Sequence, residues 1–355
     1  MSAALPALLR SPWLHPLNDT AALDDLLARI RPTWSLRDIR AEVTRVVDET
    51  PDTRSYWLAP NRLWRGHQAG QHVQLSLEHR GRRLSRAYSL SSAPSDSGLR
   101  LTIKRQPGGR MSGAVHAQLA VGSVLTLGPA SGDFVLPEGP APLFLLGAGS
   151  GITPLMAMLR TLAVTRPQAD VVLLQISRRA EDTIFRAELD ALRSRLPGLR
   201  LIRHLSAEQG RPQAEALIAA VADLGARESF ICGPDALARS LRQVYAARGW
   251  SARFHSESFT GLSVEALPAG ETVTVQAAKS EQLFTTDGSD SLLVAAEKAG
   301  LSPKYGCRIG ICHSCKCVKR SGVVENLLTG EISDRPDQPI QLCISRARSA
   351  LALDL

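Results

Sequence analysis

The stretch Cys307-Arg308-Ile309-Gly310-Ile311-Cys312-His313-Ser314-Cys315, followed by Cys343, constrains this chain more than any other feature. Its spacing, C-x4-C-x2-C with a distant fourth cysteine, is the plant-type ligand set for a [2Fe–2S] cluster. Four thiolates must converge on a small anionic core, so the loop has to be tight and light in side chains. Gly306 and Gly310 provide that freedom, and backbone N–H groups can then turn towards the sulfurs. The register has one solution. Starting from Cys312 puts Cys317 second but Arg320 where the third cysteine belongs. Zinc sites use other spacings. A Rieske centre needs two histidines, and no second one matches His313, which reads as an exposed loop residue.

Six cysteines in 355 residues, four of them close together, indicate a metal site in a reducing compartment and not a disulfide framework. Cys317 is left over as a packed thiol. No apolar run approaches the roughly 20 residues needed to span a bilayer. The N-terminus lacks a basic n-region, and Pro6 and Arg10 interrupt its short apolar stretch, which argues against a signal peptide. A soluble, cytoplasmic protein is expected. The formal charge of +8 divides into +9 before Leu262 and −1 from Leu262 on, and the first part lacks the blocks of Lys/Arg and aromatics that nucleic-acid binding calls for. From Lys304 to Arg320 there is no acid, while Lys304, Arg308, Lys316, Lys319 and Arg320 are all cationic. These charges either offset the cluster's negative charge or form a basic docking rim for an acidic partner.

Hydrophobic patterning divides the chain into four parts. Residues 1–38 form a mostly helical lead segment, with Ala21–Ile30 its clearest helix. Residues 39–138 read as short alternating runs broken by Gly and Pro, the pattern of a small antiparallel β-barrel. Residues 139–261 alternate short apolar strands with helices, as a doubly wound α/β domain does. Residues 262–355 give a hairpin, a helix, the cysteine loop, a strand and a last strand near Ile340–Cys343. That is the order of a ferredoxin-type β-grasp domain.

Four short motifs precede the cysteine loop. Arg86-Ala87-Tyr88-Ser89 ends a barrel strand, and offers a cation, an aromatic edge and a hydroxyl of the kind a flavin needs; an arginine on the barrel surface and a tyrosine in its core are the alternative. Gly109-Arg110-Met111-Ser112 precedes a predicted helix, where glycine backbone and a serine make either a phosphate cradle or an ordinary N-cap. Gly147-Ala148-Gly149-Ser150-Gly151-Ile152-Thr153-Pro154 runs from strand to helix. Its third glycine falls one place early for the G-x-G-x-x-G fingerprint, but the logic of backbone approaching a pyrophosphate holds, with Thr153 and Pro154 at the cap and first turn. Cys232-Gly233-Pro234 follows another strand end on the same edge of the sheet, where α/β ligands bind; a packing cysteine is the alternative there.

In this order the four motifs resemble the ferredoxin–NADP reductase superfamily, and the cysteine loop makes the chain similar to its three-module members. The resemblance covers Ile39 to the C-terminus. It implies that Arg86, Ala87, Tyr88 and Ser89 hold the flavin and that Gly109, Arg110, Met111 and Ser112 hold its phosphates. It implies that Gly147, Gly149, Gly151, Thr153 and Pro154 bind the nicotinamide dinucleotide. Cys232, with Gly233 and Pro234, then sits near the reacting ring, and Glu257 and Phe259 close the flavin pocket. Ser89, Cys232, Glu257 and Phe259 are thus the residues expected at the reaction centre.

A nicotinamide gives two electrons at once and the cluster accepts one, so a flavin must lie between them. FAD is expected because the Gly109–Ser112 cradle can seat a second phosphate; FMN is the alternative. Ser177, Arg178 and Arg179 follow a strand where the adenosine ribose should lie, and their cations point to NADPH; two solvated arginines are the alternative. The cluster ligands are Cys307, Cys312, Cys315 and Cys343. For the acceptor, the stretches Trp34–Arg40 and Pro60–Trp64 resemble bacterial partners of acyl-CoA desaturases, implying a membrane-bound di-iron desaturase that would draw this soluble chain to the membrane. The alternatives are a soluble oxygenase component, such as an aromatic-ring hydroxylase, and a non-catalytic redox sensor or electron-transfer subunit.

Overall fold

Alternation of apolar and polar residues in the first strands produces a curled antiparallel sheet. In the computed structural model, which describes residues 20–79, 82–259, 270–306, 308, 310 and 313–355, the strands are β1 (Ile39–Thr50), β2 (Thr53–Pro60), β3 (His72–His79), β4 (Arg82–Ser89), β5 (Leu99–Lys104) and β6 (Val124–Leu127). Their order is β4-β3-β6-β1-β2-β5, and a bridge from Leu90, just past β4, to Leu101 in β5 joins the two edges. A closed sheet has no free edge to protect. Inside it, Val43, Tyr56, Val73, Leu75, Leu101 and Ile103 are buried in one core. Helix α1 (Thr20–Ile30) leads into β1, and α2 (Arg110–Gln118) lies against β4.

The α/β sheet follows, with β7 (Leu143–Ala148), β8 (Val171–Ser177), β9 (Leu199–Leu205), β10 (Glu228–Cys232) and β11 (Phe254–Glu257) in the order β11-β10-β7-β8-β9. β7, β8 and β9 are parallel. All seven residues of β8 are buried, as expected of a parallel strand covered on both faces. Helices α3 (Ile152–Thr165), α4 (Arg186–Arg195) and α5 (Asp235–Ala247) accompany the sheet. α5 buries Ala238, Leu241 and Tyr245, spaced as one helical face.

The last sheet has the order β13-β12-β19-β14-β17, from β12 (Val273–Ala277), β13 (Gln282–Thr286), β14 (Lys316–Ser321), β17 (Gln338–Gln341) and β19 (Leu351–Leu353). A small sheet of β15 (Val324–Asn326), β16 (Ile332–Ser333) and β18 (Ser345–Ala347) completes the module with α6 (Leu292–Lys298), whose N-cap Ser291 accepts from Val294 N–H. The last strand is β19 and not the expected one near Ile340–Cys343. That segment is β17 followed by a 3-10 turn at Leu342–Ile344, and β19 inserts between β12 and β14.

The chain forms two compact units. The first runs to Phe230 and includes Arg253–His255; the second joins Ile231–Ala252 to Ser256–Leu355. The boundary passes through β10 and β11, so α5 and the Ser256–Glu257 end of β11 belong with the ferredoxin module. No described helix is long and apolar enough to cross a membrane.

Candidate flavin, nucleotide and cluster sites

In the first unit, β4 carries the Arg86–Ser89 motif opposite β3, pairing Arg86 with Leu75, Tyr88 with Val73 and Ser89 with His72. Strand alternation puts Arg86 and Tyr88 on one face and Ser89 on the other. Arg86 is exposed, Tyr88 half-buried, and burial pushes the Tyr88 phenol far above its ordinary value. Ser89 is 3% exposed, and its Oγ has no hydrogen-bond partner among the described residues. A buried hydroxyl without a partner is costly, so this position fits a ligand that supplies one.

Gly109 is the N-cap of α2 and gives no side-chain cap. The N-terminus of this nine-residue helix, beside β4, thus has no side-chain cap, and an anion would suit it. Ser112 does not complete the cradle freely, because its Oγ accepts from Gln106 N–H at 3.0 Å. Met111 is buried and Arg110 exposed.

The glycine loop after β7 forms a 3-10 turn at Gly149–Gly151, and α3 begins at Ile152. Thr153 is thus inside the first turn and not the cap; its hydroxyl donates to Ser150 O at 2.9 Å. A Cβ on Gly147 would stand 3.0 Å from Ile152 Cα, so any larger residue would have to push strand and helix apart by a few tenths of an ångström. Gly149 has φ +56° and open space where its side chain would be. That opening fits close backbone approach to a pyrophosphate. The turn also touches β5, so the loop and the barrel share one unit.

At the end of β8, Ser177 is buried while Arg178 and Arg179 are exposed. Arg179 pairs loosely with Glu181 at 3.7 Å, and Asp182 accepts from its backbone N–H.

In the second unit, Cys232 is fully buried, and burial, then the charge of Glu257, pushes its thiol well up. Gly233 N–H donates to Glu257 O, which fixes the two segments side by side. Glu257 is buried, Phe259 half-buried and Pro234 exposed.

Cys307 and Cys312 lie outside the described residues. Cys315 and Cys343 are buried with their Sγ atoms 3.2 Å apart, close enough to share one iron, and this fits the cluster. Arg308, Gly310 and His313 all have positive φ, which is the tight winding such a loop requires. Gln341 Nε2 donates to Gly310 O at 2.6 Å. Sequence spacing alone does not reveal this brace, although its place two residues before Cys343 is a signal. His313, expected exposed, is half-buried, and its Nδ1 has no partner among the described residues. Cys317 is a packed thiol, pushed up to about 11 by burial.

The basic window is largely spent on the fold. Lys319, expected at the docking rim, is 0% exposed, and its Nζ donates to Gly322 O at 2.7 Å and Arg335 O at 2.6 Å. Arg308 binds Glu297 through both nitrogens, and Arg320 binds Asp337 and Asp354. Lys304 and Lys316 remain exposed, without an ion pair among the described residues.

Three family models match in chain order: an oxidoreductase FAD-binding domain over residues 40–135, an oxidoreductase NAD-binding domain over 145–243 and a 2Fe-2S iron-sulfur cluster binding domain over 273–348. The chain is also 36% identical to an NADPH oxidoreductase of Mycobacterium tuberculosis, over 98% of its own length and 94% of the relative's. It belongs to the three-module reductases of the ferredoxin–NADP reductase superfamily. This reductase is 30% identical, over 91% of its length and 96% of the relative's, to the glycine betaine monooxygenase reductase subunit of Chromohalobacter salexigens. Its fold matches phthalate dioxygenase reductase with a TM-score of 0.59 at 23% identity, covering 90% of this chain and 98% of that one. The reductase is therefore an NAD(P)H-dependent oxidoreductase with FAD and a [2Fe–2S] cluster.

Proposed function

We propose that this reductase takes electrons from NADPH and delivers them, one at a time through its cluster, to the terminal component of a soluble oxygenase. The observation that carries this reading is near end-to-end similarity to a monooxygenase reductase subunit, in a chain that matches all three family models in order. The desaturase acceptor implied by the lead segment finds no such support among these relatives. The mycobacterial relative is named for its donor and not its acceptor.

When bound, the flavin supplies the conversion between a two-electron donor and a one-electron acceptor. The chain's residues hold and orient. Arg86, Tyr88 and Ser89 would hold the flavin, Ser89 through its buried hydroxyl, and the N-terminus of α2 would receive its phosphate. Gly147 and Gly149 let the backbone of the glycine loop approach the dinucleotide. Arg178, exposed beside Ser177, meets the 2′-phosphate. Cys232, Glu257 and Phe259 would be the residues nearest the chemistry, as the resemblance implies. Cys307, Cys312, Cys315 and Cys343 ligate the cluster.

Reconstitution tests the acceptor. The purified reductase, NADPH and a Rieske-type oxygenase component should give coupled substrate oxidation. Double-bond formation with desaturase-containing membranes and an acyl-CoA, alongside no turnover with oxygenases, would return the reading to the desaturase.

A further inference from the structure

Arg242 lies in the middle of α5, the helix that follows Cys232-Gly233-Pro234, next to the buried Leu241. Its guanidinium reaches two segments far apart in sequence. Nη2 donates to Ser256 Oγ at 2.7 Å, immediately before Glu257. Nη1 donates to Leu328 O at 2.9 Å, in the ferredoxin module. Arg242 is half-buried, so both bonds are partly shielded from water.

The turn that Arg242 grasps is held by hydrogen bonds of its own. Asn326 Oδ1 accepts from Leu328 N–H at 2.9 Å and Thr329 N–H at 3.3 Å, and Gly330 N–H donates to Asn326 O at 2.8 Å. The same turn touches the cysteine loop at both ends. Leu327 N–H donates to Ile344 O at 2.7 Å, one residue past Cys343. Leu328 and Ile344 pack against Gly310, where an added Cβ would stand 3.1 Å from Leu328 Cδ1 and 2.9 Å from Ile344. One side chain thus ties the Ser256–Glu257 segment to the support of the cluster loop.

We propose that Arg242 is a positioning residue for electron delivery to the cluster, holding the 326–331 turn against α5 and Ser256. Arg242 carries neither electron nor proton; one electron passes from reduced flavin to oxidised cluster, and the guanidinium keeps the accepting module in place. This rests on the reading of the four cysteines as ligands.

The test uses the full-length holoenzyme and Arg242→Ala, Arg242→Lys and Ser256→Ala. In anaerobic stopped-flow with NADPH, flavin bleaching in Arg242→Ala should keep its wild-type rate. Cluster reduction should slow by about tenfold, the population change expected from losing a charge-assisted hydrogen bond. Arg242→Lys and Ser256→Ala, each sparing part of the contact, should fall between. The reduced-cluster EPR signal should be unchanged, and hydrogen exchange at the amides of 326–331 should quicken. A wild-type rate of cluster reduction in Arg242→Ala overturns the proposal. So does a loss of the EPR signal in Arg242→Ala with no selective slowing in Ser256→Ala, which would make Arg242 merely structural. Absence of the signal in the wild-type protein would instead sink the ligand assignment.

Discussion

Arg100 in β5 and Glu188 in α4 are joined by a 2.8 Å ion pair that ties the barrel to the α/β sheet within the first unit. Arg100 also binds Glu49 and stacks over the rings of Trp57 and Phe185 at 4.4 and 4.6 Å. Glu188 in turn binds Arg160, which donates to the carbonyl of Ser91, two residues past Ser89. Arg100→Ala leaves the shielded Glu49 without its cation. Breaking a buried pair costs about 3–5 kcal/mol, and the partial exposure of Glu188 points to the lower end. The denaturant midpoint of the first unit should fall accordingly, and an unchanged midpoint would count against the tie.

Asp24 fastens α1 to the barrel. Burial raises its pKa, but Leu36 N–H, the Ser35 hydroxyl and the Arg40 guanidinium outweigh burial and hold the carboxyl below its ordinary 3.8. A depressed folded pKa means that the contribution is complete above 3.8 and lost as pH falls through the lower folded value. Asp24→Asn should cost about 1.5–3 kcal/mol at neutral pH. The difference from wild type, read by thermal melts, should shrink on acidification below 3.8. A difference that is the same at every pH would mean the charge is not what holds the helix.

Replacing Cys315 or Cys343 by Ser should abolish the reduced-cluster EPR signal while NADPH still bleaches the flavin. Cys317→Ser should keep the signal, since that thiol faces the core next to Val318. The reverse pattern would place the ligand register wrongly.

Arg178→Ala should raise KM for NADPH by about tenfold, the value of a charge-assisted hydrogen bond to phosphate, and spare NADH. Arg179→Ala should matter less, because Glu181 already draws that cation. Equal effects on both cofactors would detach these arginines from the 2′-phosphate.

The two lysines of β14 should behave differently. Lys316→Glu should slow transfer to an acidic acceptor at low salt, an effect that fades as the Debye length falls from about 10 Å at 0.1 M to about 3 Å at 1 M. Lys319→Glu should instead destabilise the ferredoxin module at every salt concentration, because it sets a buried carboxylate against the carbonyls of Gly322 and Arg335. Melting curves of the two variants separate docking from folding.

The contrast between these lysines shows where sequence reading stops. The modules were legible because glycine loops and cysteine spacing are local, and because largely apolar runs such as Val171–Ile176 announce buried strands. Lys319 was misplaced by charge alone, although its position two residues after the buried Cys317 puts it on the same inward face. β19 was missed because three residues carry no period. Arg242 was invisible because its partners, Ser256 and Leu328, are neighbours only in space.

β19 is also a keystone. Among the described residues, Leu351–Leu353 is the strand that lies between the β12–β13 hairpin and the β14–β17 pair. The sheet over the core that holds Cys315 and Cys343 can therefore close only when these three residues pair with β12 on one side and β14 on the other. Two strand pairs that could each form locally depend for their union on one short, distant strand.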